Sequence, residues 1–205
     1  MARYRGPLNR IARKFGANIF GRRKNPLAKR SNPPGQHGAK RKKRSDFGNQ
    51  LHEKQKLACF YGVVPLKILS RYYKEALRKE GNTSDLFIQL LESRLDVVVY
   101  RMKFAPTIFS SQQLVSHGHV LVNGRKVNIR SYQVKPNDVI SLRAKALELT
   151  VVKESITSAR ELPAYMTFDS QENKGSILVL PALDQVSFSL HINVPLVCEY
   201  LAYTS

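Results

Sequence analysis

The groups with which this chain could do acid–base, nucleophilic or metal chemistry are few and badly placed for it. Its five histidines are His37, His52, His117, His119 and His191. His117 and His119 are two apart, so they share one face of a strand and diverge on a helix. No carboxylate or cysteine stands near them to complete a metal site or orient a general base. Most carboxylates sit beside a cation, as in Glu53-Lys54 and Lys74-Glu75, the pattern of solvated charges on helix faces. There is no GxSxG, P-loop, HExxH, or GxGxxG after a strand. Cys59 and Cys198 lie far apart without a partner at metal spacing, and read as reduced core thiols of a cytosol-like compartment. The expectation is a chain with no catalytic residue, no metal ligand and no cofactor.

Binding a polyanion is a different matter. The 205 residues carry a formal net charge of +19, an excess whose self-repulsion calls for an anionic partner. Residues 1–50 hold 15 Lys and Arg against one acid, Asp46, whereas residues 151–205 hold 3 against 6. Pro33-Pro34-Gly35-Gln36-His37-Gly38 precedes the five-charge run Lys40-Arg41-Lys42-Lys43-Arg44. Its glycines permit close backbone approach, and Gln36 and His37 can donate to phosphates or base edges. An exposed linker remains the alternative for that block. Tyr4, Phe15, Ile19, Phe20 and Phe47 are interleaved with the cations. A solubilising tail has little use for rings, while RNA contact uses cations on phosphates and rings on bases. A second basic set is Arg94 and Arg101, seven apart and so on one side of a helix, followed by Gln112, Gln113, His117, Arg125 and Lys126.

These side chains need elements to hold them. Residues 1–50, with Pro7, Pro26, Pro33 and Pro34, lack the apolar surface to fold alone and are expected to order against RNA. Helical spacing follows in Leu66, Leu69, Tyr73 and Ala76-Leu77, with Gly81 as a stop and Thr83 or Ser84 as the next cap. Leu86, Phe87, Leu90, Leu91, Leu95, Val98 and Met102 mark one apolar stripe, read as core. A short helix is expected from Thr107 to His117, then a hairpin at Asn123-Gly124, a turn at Lys135–Asp138 and a strand at Val139–Leu142. Residues 150–162 read as helix, Tyr165–Phe168 and Ser176–Leu180 as strands around a Lys174-Gly175 turn, and Asn193 as the cap of a last helix containing Pro195. No apolar stretch is long enough to span a membrane and no signal peptide is evident.

The same residues resemble the family of small-subunit ribosomal protein four, of bacterial type. The resemblance is carried in order by Ala2–Pro7, Pro34–Gly38 with the basic run and Ser45–Gly48, Gln50–Lys56 with Tyr61–Val63, Leu91–Met102, and Gln113–Gly124. It implies an α+β fold: a basic extended N-terminal segment and a helical domain carrying an inserted RNA-binding module of two helices and a small twisted sheet. The boundaries expected are 1–50 for the extension, 51–93 for the helical domain, 94–155 for the module, and 156–205 for a C-terminal segment returning to the helical domain. It further implies a structural constituent of the small ribosomal subunit that binds the five-prime domain of its RNA early and nucleates the body. Protein five would be its chief protein neighbour, with an influence on decoding accuracy and a place on the messenger RNA entry path. The chain would be ribosome-bound in a bacterial cytoplasm, not a homo-oligomer, and not membrane-bound. Two departures stand out. Residues 1–50 lack the cysteines with which some members bind zinc, and Gln112 stands where many members carry Arg.

The side chains expected on RNA are Arg3, Arg5, Arg10, Arg13, Lys14, Arg22 and Arg23, then Gln36, His37, Lys40, Arg41, Lys42, Lys43 and Arg44. Lys54, Lys56 and Arg71 follow in the helical domain, and Arg94, Arg101, Gln113, His117, Arg125 and Lys126 in the module. A pseudouridine synthase, which also carries such a module, would need a catalytic domain larger than the sixty or so residues after 143. A membrane-surface binder would need a long basic amphipathic helix, which is missing. A protein–protein adaptor stays open.

Overall fold

The computed structural model describes all residues except 1–3, 22–23, 41–42, 170 and 205. The chain divides into two compact units, residues 1–84 with 188–205, and residues 85–187.

In the first unit, α1 (Leu8–Phe15) follows Pro7 and ends at Gly16. Helix α2 (Asp46–Phe60) begins where Ser45 accepts a hydrogen bond from the Gly48 amide, with Asp46 in the first turn. Helix α3 (Leu66–Leu77) starts after Pro65. Helix α9 (Val194–Thr204) lies against α2 and α3, and the Asn193 side chain accepts from the Leu196 amide. Buried Leu57, Leu69, Tyr73, Ala76, Val197 and Leu201 make the core. Part of the opening segment packs into this unit. Ala12, Ile19 and Phe20 are buried, and Phe15 sets its ring edge-on to His52 at 5.0 Å. Phe20 and Ile19 are therefore core residues and are not available to stack on bases.

Helix α4 (Thr83–Glu92) opens where the Asn82 side chain accepts from the Ser84 amide, and leads into the second unit. There α5 (Leu95–Arg101) and α6 (Ile108–Ser116) pack on a sheet made of β1 (Val120–Val122), β2 (Arg125–Lys126), β3 (Val139–Leu142), β4 (Met166–Asp169) and β5 (Lys174–Ile177). The sheet is antiparallel throughout, in the order β2-β1-β3-β5-β4. Two short helices, α7 (Ala144–Leu147) and α8 (Thr150–Ile156), connect β3 to β4. Val98, Val99, Met102, Phe104, Leu114, Val115, Val120, Ile140 and Ile177 fill the space between helices and sheet.

Local chemistry explains most of these limits. Thr107 caps α6 by accepting from the Ser110 amide. Asn123 and Gly124 both take positive φ, 49° and 76°, as the tight hairpin requires. The Asn123 amide then donates to Asp138 at 2.8 Å while its carbonyl accepts from the Val139 backbone at 2.9 Å, tying the hairpin to the next turn.

Three expectations need correction. The stripe from Leu86 to Met102 is two helices, because Arg94 is extended at φ −65°, ψ 134° and starts α5 afresh. Residues 156–187 do not return to the helical domain: β4 and β5 complete the module's sheet by pairing β5 with β3. Lys174-Gly175 is strand, and the turn precedes it, with Asn173 at φ 51°. Gly175 is in β5 because a side chain has no room there. A Cβ would lie 2.7 Å from the Thr167 carbonyl oxygen and 2.9 Å from Met102 Sδ. Gly175→Ala is expected to lower unfolding free energy by about 1–3 kcal/mol, read as a shifted urea midpoint at unchanged slope. An unchanged midpoint would contradict this packing.

Candidate nucleic-acid interface

The cations of the first unit fall into two kinds. Arg5, Arg10, Lys24, Lys29, Arg30, Lys40, Lys43 and Arg44 are exposed and in no ion pair among the described residues. Gln36 and His37 are exposed between them. Others hold the fold. Arg13 donates to the carbonyls of Asn32 and Pro33 at 2.9 and 3.2 Å, clamping the proline–glycine segment onto α1. Lys14 donates to Gln55 on α2. Lys56 donates to Glu53 at 2.6 Å and to the His191 carbonyl at 3.3 Å. Lys54 lies over the Tyr200 ring at 5.0 Å, and exposed Arg71 lies over Tyr72 at 5.3 Å. Arg3, Arg22, Arg23, Arg41 and Lys42 lie outside the described residues.

Asn9, Arg13, Lys24, Asn25, Lys29 and Arg30 surround a concavity of about 640 Å3. Lys24, Lys29 and Arg30 were counted in the charge of residues 1–50 but not singled out as contacts. The signal that could have found them is the Lys24-Asn25-Pro26 turn, where Asn25 accepts from the Leu27 amide and curves the chain back on α1's cations.

Beside this surface, burial pulls the His52 imidazole down to about 4, with repulsion from Arg44 and Lys56 adding to the effect. Burial likewise pushes the Cys59 thiol up to about 11, which keeps it an unreactive thiol near neutrality.

In the second unit the expected contacts sort differently. Arg94 is 2% exposed and is not an RNA contact. Its guanidinium meets the Asp96 carboxylate through two bonds of 3.0 and 2.7 Å. Asp96 also accepts from Gln112 at 3.3 Å and from the Val97 amide at 3.1 Å. Burial raises the Asp96 pKa against the pull of these donors. Gln112 is buried in this network and serves the core. Arg101 is also structural. It grips Glu92 with bonds of 3.1 and 2.8 Å and donates to the Ser187 carbonyl. The spacing of seven placed Arg94 and Arg101 on one helix side, but the break at Arg94 removes that geometry.

Gln113, His117, Arg125 and Lys126 are exposed. Gln113 and His117 line a cleft of about 170 Å3 together with Ser110, Leu114, His119, Leu149, Val151 and Val152. The His117 and His119 rings meet edge-on, with centroids 6.1 Å apart and planes inclined at 61°. Among the described residues no three His, Cys, Asp or Glu side chains converge on a metal position, and no helix is long and apolar enough to cross a membrane.

Residues 3–92 match the family model for the ribosomal protein S4/S9 N-terminal domain, and residues 93–140 match that for the S4 domain. The chain is 54% identical to the small ribosomal subunit protein uS4 of Chlamydia muridarum, over 99% of each chain. It is 50% identical to that of Protochlamydia amoebophila over the whole of both, and 52% identical to that of Chlamydia pneumoniae over 99% of each. The chain belongs to the ribosomal protein S4 family. The S4-domain match covers α5, α6, the hairpin and the start of β3, while β4 and β5 complete the sheet beyond it. The resemblance carried by the Gln113–Gly124 and Leu91–Met102 segments thus falls on the S4 family's own two models.

Two outcomes follow. Arg94→Ala leaves the Asp96 carboxylate buried without its cation, and should lower stability by about 3–5 kcal/mol, whereas Lys40→Ala should stay within about 0.5 kcal/mol; similar midpoints for the two in urea would contradict this sorting. The second concerns acid. His52 is held below its unfolded pKa, so its share of stability is complete above about pH 6.5 and is lost as pH falls toward 4. Comparing unfolding at about pH 7 and about pH 4.5, wild type should lose roughly 1 kcal/mol more than His52→Gln, a figure reduced for solvent screening. Equal losses would remove His52 from the account.

Proposed function

We propose that this chain is a structural constituent of the small ribosomal subunit that binds folded ribosomal RNA and carries out no reaction. The observation that supports this best is the division of its cations. Those of the second unit's core and Lys56 on α2 are tied to carboxylates or carbonyls, while Arg5, Arg10, Lys24, Lys29, Arg30, Lys40, Lys43 and Arg44 are exposed to solvent, and Lys24, Lys29 and Arg30 line a basic concavity. An exposed set of this kind is a phosphate-binding surface. The near full-length likeness to bacterial proteins named small ribosomal subunit protein uS4 supplies the assembly.

Within that reading, the RNA is the five-prime domain of the small-subunit RNA, bound early so that the body nucleates around it. Protein five is the chief protein neighbour and the pair influences decoding accuracy. The messenger entry path passes nearby, and the chain acts as one copy on ribosomes in a bacterial cytoplasm. The histidine pair His117 and His119 gives an enzymatic reading little support: among the described residues no third His, Cys, Asp or Glu joins it at a metal position.

Filter binding of the full chain to a transcript of the five-prime domain tests this. With about 8 phosphate contacts the slope of log affinity against log salt should be near −6 to −7. Replacing Lys40, Arg41, Lys42, Lys43 and Arg44 by Ala should flatten it by about 3 while circular dichroism of the helical core is unchanged. A flat salt response of the wild-type chain would overturn the proposal.

A further inference from the structure

We infer that the cleft between α6 and α8 in the second unit receives one unpaired nucleobase of the bound RNA, with Lys126 on that nucleotide's phosphate. This rests on the RNA-binding reading and adds to it a site that reads a base instead of a charge.

The cleft has the two characters a nucleobase needs. One wall is apolar and oddly exposed: Leu149 and Val151 are 43% and 49% accessible, with buried Val152 behind them, and such an aliphatic wall suits the face of a ring. The opposite rim is polar. Gln113, His117 and His119 line it. Neither imidazole, nor the Gln113 amide, is hydrogen-bonded within the chain among the described residues. An amide and two imidazoles offer both donors and acceptors, which match the mixed edge of a base. A phosphate or a carboxylate would need donors only and has no use for the aliphatic wall.

Gly118 explains how a cation comes near that rim. It sits between the two histidines in sequence at φ 70°, and a Cβ there would lie 2.2 Å from Lys126 Cε and 3.0 Å from its Nζ. The lysine stem therefore crosses the bare glycine, with its ammonium over the backbone that joins His117 to His119. Any side chain at 118 would push it off. A base in the cleft and a phosphate on Lys126 are then contacts to one nucleotide that has left its stack. Duplex RNA cannot make them, because its bases are paired and stacked and offer no free face to the aliphatic wall. A protein side chain in the cleft would not draw on a lysine placed this way; acidic partners aside, the basic edge formed by Arg125 and Lys126 disfavours most protein surfaces.

The test uses the full chain bound to the five-prime-domain transcript. Val151→Phe fills the cleft from a half-exposed position, and Gln113→Ala with His117→Ala removes the polar rim without entering the core. Chemical probing should show one unpaired base protected by the wild-type chain and reactive with either variant. Affinity should fall about tenfold while the salt slope falls by no more than about 1, the single phosphate contact at Lys126. Ultraviolet crosslinking should place a nucleotide adduct on the segment 113–119. Thermal unfolding at the wild-type midpoint shows that the variants fold. If wild type binds steeply with salt but both variants keep its affinity and base protections, the cleft is not a base site and the RNA reading stands. If the variants instead lose a neighbouring ribosomal protein while RNA protections are unchanged, the inference is equally overturned. Failure of the wild-type chain to bind the transcript would defeat the RNA reading itself.

Discussion

The scarcity of carboxylates governs how this chain is built. Fifteen acids face 34 Lys and Arg, and several of the acids are committed to holding segments together. Glu92 binds Arg101 and accepts from the Tyr165 hydroxyl at 3.1 Å. Glu53 joins Lys56 to the Asn193 amide, so α2 sets the start of α9. Asp138 joins the hairpin to its neighbouring turn. Carboxylates used in this way cannot neutralise the exposed cations of residues 5–44. The repulsion among those cations persists in the folded chain and favours any partner that brings dense negative charge.

The Arg94–Asp96 pair shows what a buried charge does here. A well-packed apolar pair of the same size would be about as stabilising, so stability alone does not account for it. Its geometry does more. Asp96 receives Arg94, Gln112 and the Val97 amide, and the Ser111 hydroxyl donates to the Asp96 carbonyl at 2.7 Å. Two residues of α6 are thereby fixed against the first turn of α5. The Ser93 carbonyl and the Leu95 amide on either side of Arg94 bond the Val134 amide and the Tyr132 carbonyl. One ionic centre thus sets the break between α4 and α5, the seat of α6, and the approach of the loop before β3. The exposed face of α6 inherits that precision.

Periodicity and turn chemistry made much of the architecture readable in advance. Thr107, Asn123-Gly124, the Lys135–Asp138 turn and Asn193 each act locally, and local signals survive folding. The misreadings have a different origin. Gly175 looked like a turn residue, but its reason is Met102 and Thr167 pressing from elsewhere in the unit. Strands β4 and β5 looked like a separate C-terminal piece because the pairing of β5 with β3 spans more than thirty residues. Phe20 looked like a base-stacking ring because its neighbours are cationic, yet it is 4% exposed. In each case the deciding contact is long-range, and composition near the residue says nothing about it.

The same limit applies to the basic residues, and it bears on how recognition is divided. Arg13 and Arg10 stand three apart on α1, yet one clamps two carbonyls and the other faces solvent. A count of cations overstates the number of phosphate contacts, because some of them are internal fasteners. What remains is a cloud of exposed charge whose attraction is strong, salt-sensitive and nearly indifferent to sequence. Such an attraction brings RNA to the surface without fixing where it sits. Register has to come from groups that are rigid and directional. On the proposed reading those are the α6 rim and the hairpin, held by the buried Asp96 centre and the Asn123–Asp138 link. Affinity and placement are then carried by different parts of the sequence, the first by a cation-rich segment that few carboxylates answer, the second by a unit whose acids are turned inward.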